Sequence, residues 1–177
     1  PKTAADMKRL NDFNDQIYQV LQNQNNARIG AFGCANGGPV SGRVYTLPVV
    51  FHIIDSSTNG STIATNAQIA QALKNLNDQW RRVTGDGVDM QIQFAMAQRD
   101  PWGNPTNGIN RVSGRNALGY LQYGLDPSTN WNQVLSLGNW PGSQYINIYI
   151  LTKMVGASGL GSLPGPGAGY EGIFVIN

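Results

Sequence analysis

The sequence predicts an α+β / α/β domain: a twisted mixed five-stranded sheet with one backing helix, preceded by an N-terminal amphipathic helix. Three observations carry this expectation. Residues 46–54, TLPVVFHII, form a nearly continuous apolar run, as in a strand buried on both faces. Ile69, Leu73, Leu76 and Trp80 stand at i, i+4, i+7 and i+11, a single helical stripe that Ala72 widens. Met90, Ile92, Phe94 and Met96 alternate with Gln91, Gln93 and Ala95, the period of a half-buried strand. Strand, helix and strand in this order make a βαβ-like unit.

The 177 residues suit one domain of ordinary size. The chain is 41% hydrophobic but only 12% charged, and Asn, Gln, Ser, Thr and 22 glycines supply its polarity. That balance fits a loop-rich extracellular protein. Net charge is +2, and the twelve Lys and Arg residues are scattered, so no basic stripe of a nucleic-acid surface is visible. No apolar run approaches the roughly 18 residues of a membrane span. There is no apolar signal-peptide core either, and a start at Pro1 fits a removed export signal. The single Cys34 excludes an internal disulfide, and the single His52 excludes a metal site built from several histidines of this chain.

In chain order, Thr3 opens a helix expected over 4–24, with Met7, Leu10, Phe13, Ile17, Val20 and Leu21 on its apolar face. Residues 27–42 have no period and several glycines, so they read as a linker or extended segment. The expected division is therefore 1–43, helix and linker, and 44–177, the folded domain. His52 shares a face with Val50 and Ile54 and reads as a core histidine bonded to backbone, because no second ligand is near it in sequence. Asn59-Gly60 is the tip of a turn. Thr65 or Asn66 caps the helix of 66–82, which ends by Gly85 after Arg81-Arg82.

A strand over 90–97 is stopped by Asp100-Pro101-Trp102-Gly103-Asn104-Pro105, and Gly108-Ile109-Asn110-Arg111-Val112 restarts an extended run. Residues 113–142 read as an irregular, aromatic-rich excursion with one helical turn near 132–135. Residues 145–151, YINIYIL, alternate as a strand, and 172–177, GIFVIN, form the last one. Between them lies a Gly/Pro-rich segment that is not a phosphate loop: Pro164, Pro166 and more glycines follow it where a helix N-terminus is needed. Only the helices of 4–24 and 66–82 are in view to cover a sheet that is apolar on both faces. Ile148, Ile150, Phe174 and Ile176 are therefore expected to need cover from another polypeptide or from 4–24.

Four segments, 47–54, 66–82, 90–112 and 145–177, follow one another as in a known family. The most specific is MQIQFAMAQRDPWGNPTNGINRV, strand, Asp-Pro-x-Gly-Asn-Pro-Thr turn and Gly-Ile-x-Arg-Val. The chain resembles the N-terminal, upper half of pappalysin-type zinc metallopeptidases, a branch of the metzincins. The resemblance implies a secreted metalloendopeptidase acting on protein or peptide substrates, with zinc in the complete enzyme. The His-Glu-x-x-His helix that would hold zinc and its catalytic base is absent from the sequence, so this chain alone is expected to be latent or inactive and to bind no zinc.

Two further expectations rest on the same resemblance. Cys34 lies where a pro-segment would end, and its thiolate is a candidate latency ligand to a zinc held by residues outside this chain; an inert thiol is the other reading. The edge segment with Gly159, Leu160, Gly161 and Ser162 would pair with substrate backbone, its glycines admitting close approach. Glu171, the one acid in that stretch, reads as a surface turn residue. The partner expected to cover the sheet is the C-terminal half of the same precursor or another polypeptide. The alternative from a different class is a non-catalytic binding or structural module that keeps the fold without the zinc site.

Overall fold

The structure, a computed structural model, describes residues 44–56, 63–83, 88–162 and 171–177, all within the unit Val44–Asn177. The helix expected over 4–24, the linker with Cys34, the Asn59-Gly60 tip and Pro164 and Pro166 lie outside the described residues. A six-stranded mixed sheet organises what is described. Its central strand is β1 (Tyr45–Asp55), buried from Val49 onward on both faces. Parallel to it run β2 (Ile92–Met96) and β3 (Ile109–Ser113) on one side and β4 (Ile146–Leu151) on the other. Beyond β4 come β6 (Ile173–Ile176), parallel, and β5 (Gly159–Gly161), antiparallel to β6 at the edge.

The path β2-β1-β4-β6-β5 has the five strands expected, and β3 adds a sixth by lying end to end with β2 along β1. Tyr45–Val49 pair with β2 and Phe51–Asp55 with β3. The Asp-Pro-Trp-Gly-Asn-Pro turn is thus an excursion from one nearly continuous edge. It leaves at Ala97, whose N–H donates to Val49 O, and returns at Gly108, whose carbonyl accepts from Phe51 N–H.

Residue parity explains how β1 tolerates Pro48. Tyr45 N–H donates to Gln91 O and Ala97 N–H to Val49 O, so odd residues of β1 aim their peptide groups at β2. Pro48 turns its missing donor to the other side, where pairing with β4 starts only at Val49. The first residue of the alternating run does not join β2. Gln91 has a left-handed φ of 55°, which takes Met90 off the ladder and leaves it 55% exposed.

Helix α1 (Asn66–Trp80) starts in a capping box: Thr65 Oγ1 accepts from Gln68 N–H, and Gln68 Oε1 accepts from Thr65 N–H. Ile69 is buried against Val49, Phe51, Ile53, Phe94 and Ile148, and Leu73, Leu76 and Trp80 pack at the rim of that cluster, as the stripe predicted. Trp80 meets Phe94 edge-on at 5.2 Å. Asn77 closes the sheet's outer edge, its Nδ2 donating to Phe94 O at 2.8 Å and its Oδ1 accepting from Phe94 N–H at 2.6 Å.

The excursion of 113–142 is a cover as well as a connection. It holds a 3-10 turn (Gly114–Asn116), α2 (Tyr120–Tyr123) and α3 (Trp131–Ser136). Tyr120, Leu125, Val134 and Leu135 are buried with Ile54, Tyr149, Leu151 and Phe174 on the face opposite α1. The expectation that only two helices could cover the sheet is corrected here. Phe174 is fully buried, stacked on Tyr149 and tilted against Trp131 at 4.8 Å. Ile148 is buried on the α1 face, whereas Ile176 stays 38% exposed and Ile173 47%. Short irregular helices carry no long period, so their apolar face did not register as one.

Asn77→Ala should cost about 1–3 kcal/mol, since it strands the outward peptide groups of Phe94. Denaturant unfolding of the variant against wild type measures this.

Candidate functional site

Sheet order places β5 at the margin, and hydrogen-bond parity decides which of its groups point outward. Ile176 N–H donates to Ser158 O and Ser162 N–H to Gly172 O. Residues 158, 160 and 162 therefore face β6, and the peptide groups of Gly159 and Gly161 face away from it. No other described strand pairs with that side. A Cβ built on Gly161 meets no atom within 4 Å, and one on Gly159 meets only Phe174 O at 3.4 Å and Val175 at 3.9 Å. Internal packing does not demand glycine at 161. The bare backbone leaves room for something outside.

Of the four residues expected at this edge, Gly159, Leu160 and Gly161 form β5 itself, all exposed. Ser162 does a different job. Its Oγ accepts from Gly172 N–H at 2.7 Å and donates to Gly172 O at 3.2 Å, fastening β5 onto the start of β6. Beside that clasp lies an open cleft of about 330 Å³, bordered by Gly142, Tyr145, Asn147, Ser162, Glu171 and Gly172. Glu171 is half-buried at its wall rather than out on a surface turn, close enough to Gly142 that a Cβ there would stand 3.3 Å from Oε2. Cys34 lies outside the described residues.

The floor of the sheet at this level is a polar cluster that the sequence reading placed only in part. His52 is fully buried, with Nε2 donating to Asn147 Oδ1 at 2.8 Å and Nδ1 accepting from Asn110 Nδ2 at 3.1 Å. Its partners are thus side chains, not the backbone groups expected. Asn147 continues the chain of bonds: Oδ1 also accepts from Trp140 N–H, and Nδ2 donates to Trp140 O. Tyr149 stacks on the imidazole at 4.8 Å, and Trp140 meets it edge-on at 6.0 Å. Gly138 is required here, because a Cβ would sit 2.9 Å from His52 Nδ1. Asn147 did carry a signal, as the one polar residue on the aromatic face of an apolar strand.

Burial holds His52 neutral and lowers its pKa from 6.5 to about 4, against the opposing pull of the Asn147 hydrogen bond. With both ring nitrogens engaged and a wall of aromatic rings around it, His52 does not fit a metal ligand. Among the described residues no cluster of three His, Cys, Asp or Glu side chains could hold a metal. The residues described here therefore do not form the zinc site that the resemblance implies for a complete enzyme.

No family model matches the chain, and no curated protein sequence matches it. Solved structures do. Mature mirolysin of Tannerella forsythia, in complex with a cleaved peptide, superposes with a TM-score of 0.58 at 23% identity, covering 77% of this chain and 54% of that one. Mirolysin in complex with a small compound gives 0.59 at 22%, covering 76% and 53%. A promirolysin mutant of the same organism gives 0.58 at 21%, covering 96% and 56%. The chain spans about half the length of these structures. The likeness establishes the fold, a mixed sheet with its backing helix, as one shared with these structures.

The histidine sets a testable acid limit. Its folded pKa is depressed, so above pH 6.5 both folded and unfolded chains hold it neutral and no penalty exists. As pH falls from 6.5 to about 4 the unfolded chain takes up a proton that the folded one refuses, and stability drops. At ~1.4 kcal/mol per pKa unit the loss is about 3 kcal/mol. His52→Gln should flatten that limb of the stability–pH profile relative to wild type, as read by urea unfolding between pH 4 and 7.

Proposed function

We propose that this chain is the pro-segment and N-terminal catalytic subdomain of a secreted zinc-dependent metalloendopeptidase. The observation that carries the reading is the outward edge of β5. Its outward peptide groups, with which no other described strand pairs, belong to two glycines, one of which no internal contact requires, and it is flanked by an open cleft. An extended peptide can add to such an edge as one more strand, its backbone supplying the bonds and the cleft taking a side chain. A structure with the same fold, mature mirolysin, was solved with a cleaved peptide.

Three observations support the remaining parts. The share of this chain that superposes rises from 77% with mature mirolysin to 96% with promirolysin, which fits residues 1–43 as a pro-segment. Cys34 would then be the latency thiolate, directed at a zinc whose protein ligands are not in this sequence. Zinc in the complete enzyme would supply a water of lowered pKa as nucleophile. Ile173 and Val175 continue the α1 face of the sheet past the reach of α1 and stay 47% and 37% exposed. A C-terminal half of the same precursor, laid on that face, would bury them at about 25 cal/mol per Å².

Intact mass and metal analysis of the natural protein test the reading as a whole. The expected result is a larger protein that holds zinc and cleaves a protein substrate. A mass near 19.1 kDa without zinc would instead support a non-catalytic module. At the edge itself, Gly161→Pro removes one outward N–H at a position where proline costs the sheet no bond. The variant should keep its melting temperature and bind peptide several-fold more weakly, about 1 kcal/mol, by calorimetry.

A further inference from the structure

At the opposite margin of the sheet from β5, the excursion between β2 and β3 carries a second feature. Trp102 stands at its tip, 80% exposed, the most exposed of the large apolar side chains described. Tryptophan is enriched at interfaces, where its apolar ring and polar N–H meet a partner and water. Its backbone is held firmly. Asp100 Oδ1 accepts from Trp102 N–H at 2.9 Å and from Asn104 N–H at 2.8 Å, and Asp100 Oδ2 accepts from Asn104 Nδ2 at 3.0 Å. Arg99 donates to Gly103 O at 2.9 Å, and Pro101 and Pro105 stiffen both ends of the turn.

Trp102 forms one wall of an open cleft of about 560 Å³, within the usual 300–1,000 Å³ range of small-ligand sites. The remaining described lining is mixed: Thr106, Asn110, Ser136 and Asn139 are polar, Ile109, Leu137 and Trp140 are apolar, and Asp100 is the one ionised group among them. Asn110, which donates through Nδ2 to His52 Nδ1, also borders the cleft. Beneath it Gly138 packs against the imidazole, which ties the cleft's floor to the buried cluster.

The lining decides the class of ligand. An anion would find no cation among the described lining residues and one carboxylate against it. A wholly apolar ligand would match Ile109, Leu137 and Trp140 but would strip water from the amides and hydroxyls beside them. A cation would be drawn to the indole face and to Asp100, but it would leave the uncharged polar groups of the lining unused, and Asp100 already accepts three bonds within its own turn. A neutral polyhydroxylated ring satisfies both halves. Its C–H face would lie on the electron-rich face of the indole, and its hydroxyls would use the capacity left beyond internal bonds, Thr106 Oγ1 accepting from Gly108 N–H and Ser136 Oγ donating to Gln133 O. We infer that the Trp102 cleft is a binding site for neutral oligosaccharide, separate from the β5 edge. A turn already locked in place loses little freedom on binding, which favours the contact. The inference does not depend on the proteolytic reading, because it uses none of the residues assigned to it.

The test is calorimetry and tryptophan fluorescence on the full chain with chitotriose, cellotriose and maltotriose as probes, beside a heparin fragment and an oligolysine peptide. At least one neutral sugar should bind and shift the emission of Trp102, while the heparin fragment binds no better than buffer controls. Trp102→Ala, whose side chain is mostly in water, should retain the wild-type melting temperature and lose at least tenfold in affinity. Trp102→Phe should recover part of that loss. Failure of all three neutral sugars to bind at millimolar concentration would overturn the inference. So would undiminished binding by Trp102→Ala, or preferential, Trp102-dependent binding of the oligolysine peptide.

Discussion

β1 is paired along both edges and buried on both faces, so any polar atom inside it has to be satisfied by the protein itself. His52 is where that constraint becomes specific. A neutral imidazole in the middle of the strand needs one acceptor and one donor at opposite ends of its ring. Asn147 from β4 and Asn110 from β3 provide them, one from each neighbouring strand. A slip of one residue in either pairing would turn those amides to the other face of the sheet. The cluster therefore reads out the register of three strands at once. Its cost appears only on acidification, because the site has room for a proton donor and acceptor but none for a charge. Asn147 extends the same control to Trp140, and through it to the loop that walls the Trp102 cleft.

Where one period dominates, the sequence declares the fold. The apolar run of β1, the stripe of α1 and the alternation of β4 each arise from a face that meets one kind of neighbour throughout. The elements that were harder to see are those whose shape is set from a distance. Residues 113–142 are helical for four and six residues at a time, too short to show a period, yet they bury Tyr120, Val134 and Leu135. β3 was legible as an extended run but not as a continuation of β2, because that depends on where the turn returns to β1. The left-handed Gln91 is set by the junction with α1: Met90 N–H reaches back to Trp80 O, and Asp89 accepts from Gln91 N–H while bridging to Arg81.

The candidate sites divide in the same manner. Glycines at the sheet's edge could be read as a place for close approach, since a missing side chain is visible in any sequence. That Gly159 and Gly161, rather than Leu160, turn their peptide groups outward follows from the register with β6 and could not be read beforehand. Ser162 shows the opposite. It looked like part of a binding edge by position, and its hydroxyl is instead committed to Gly172. His52 illustrates why a lone titratable residue says little. Its meaning lies in two amides located 58 and 95 residues away.

Burial across the sheet falls in one direction, and this bears on how the edge can work. β1 is covered by α1 on one face and by the 113–142 excursion on the other. β4 is nearly so, β6 is buried only at Phe174, and β5 is not buried at all. Local stability follows such a gradient, since opening an exposed three-residue strand gives up few apolar contacts whereas opening β1 gives up the domain. Phe174, stacked between Tyr149 and Trp131, is the last anchor before the margin. A peptide adding to β5 would therefore meet a strand that can adjust its twist and register without disturbing the core. The Ser162–Gly172 clasp limits that adjustment to the two glycines, keeping their outward groups in place. On the proposed reading, a pliable edge on a rigid centre would suit recognition of varied sequences through their common backbone, because specificity would then fall to the cleft beside Glu171 rather than to the strand.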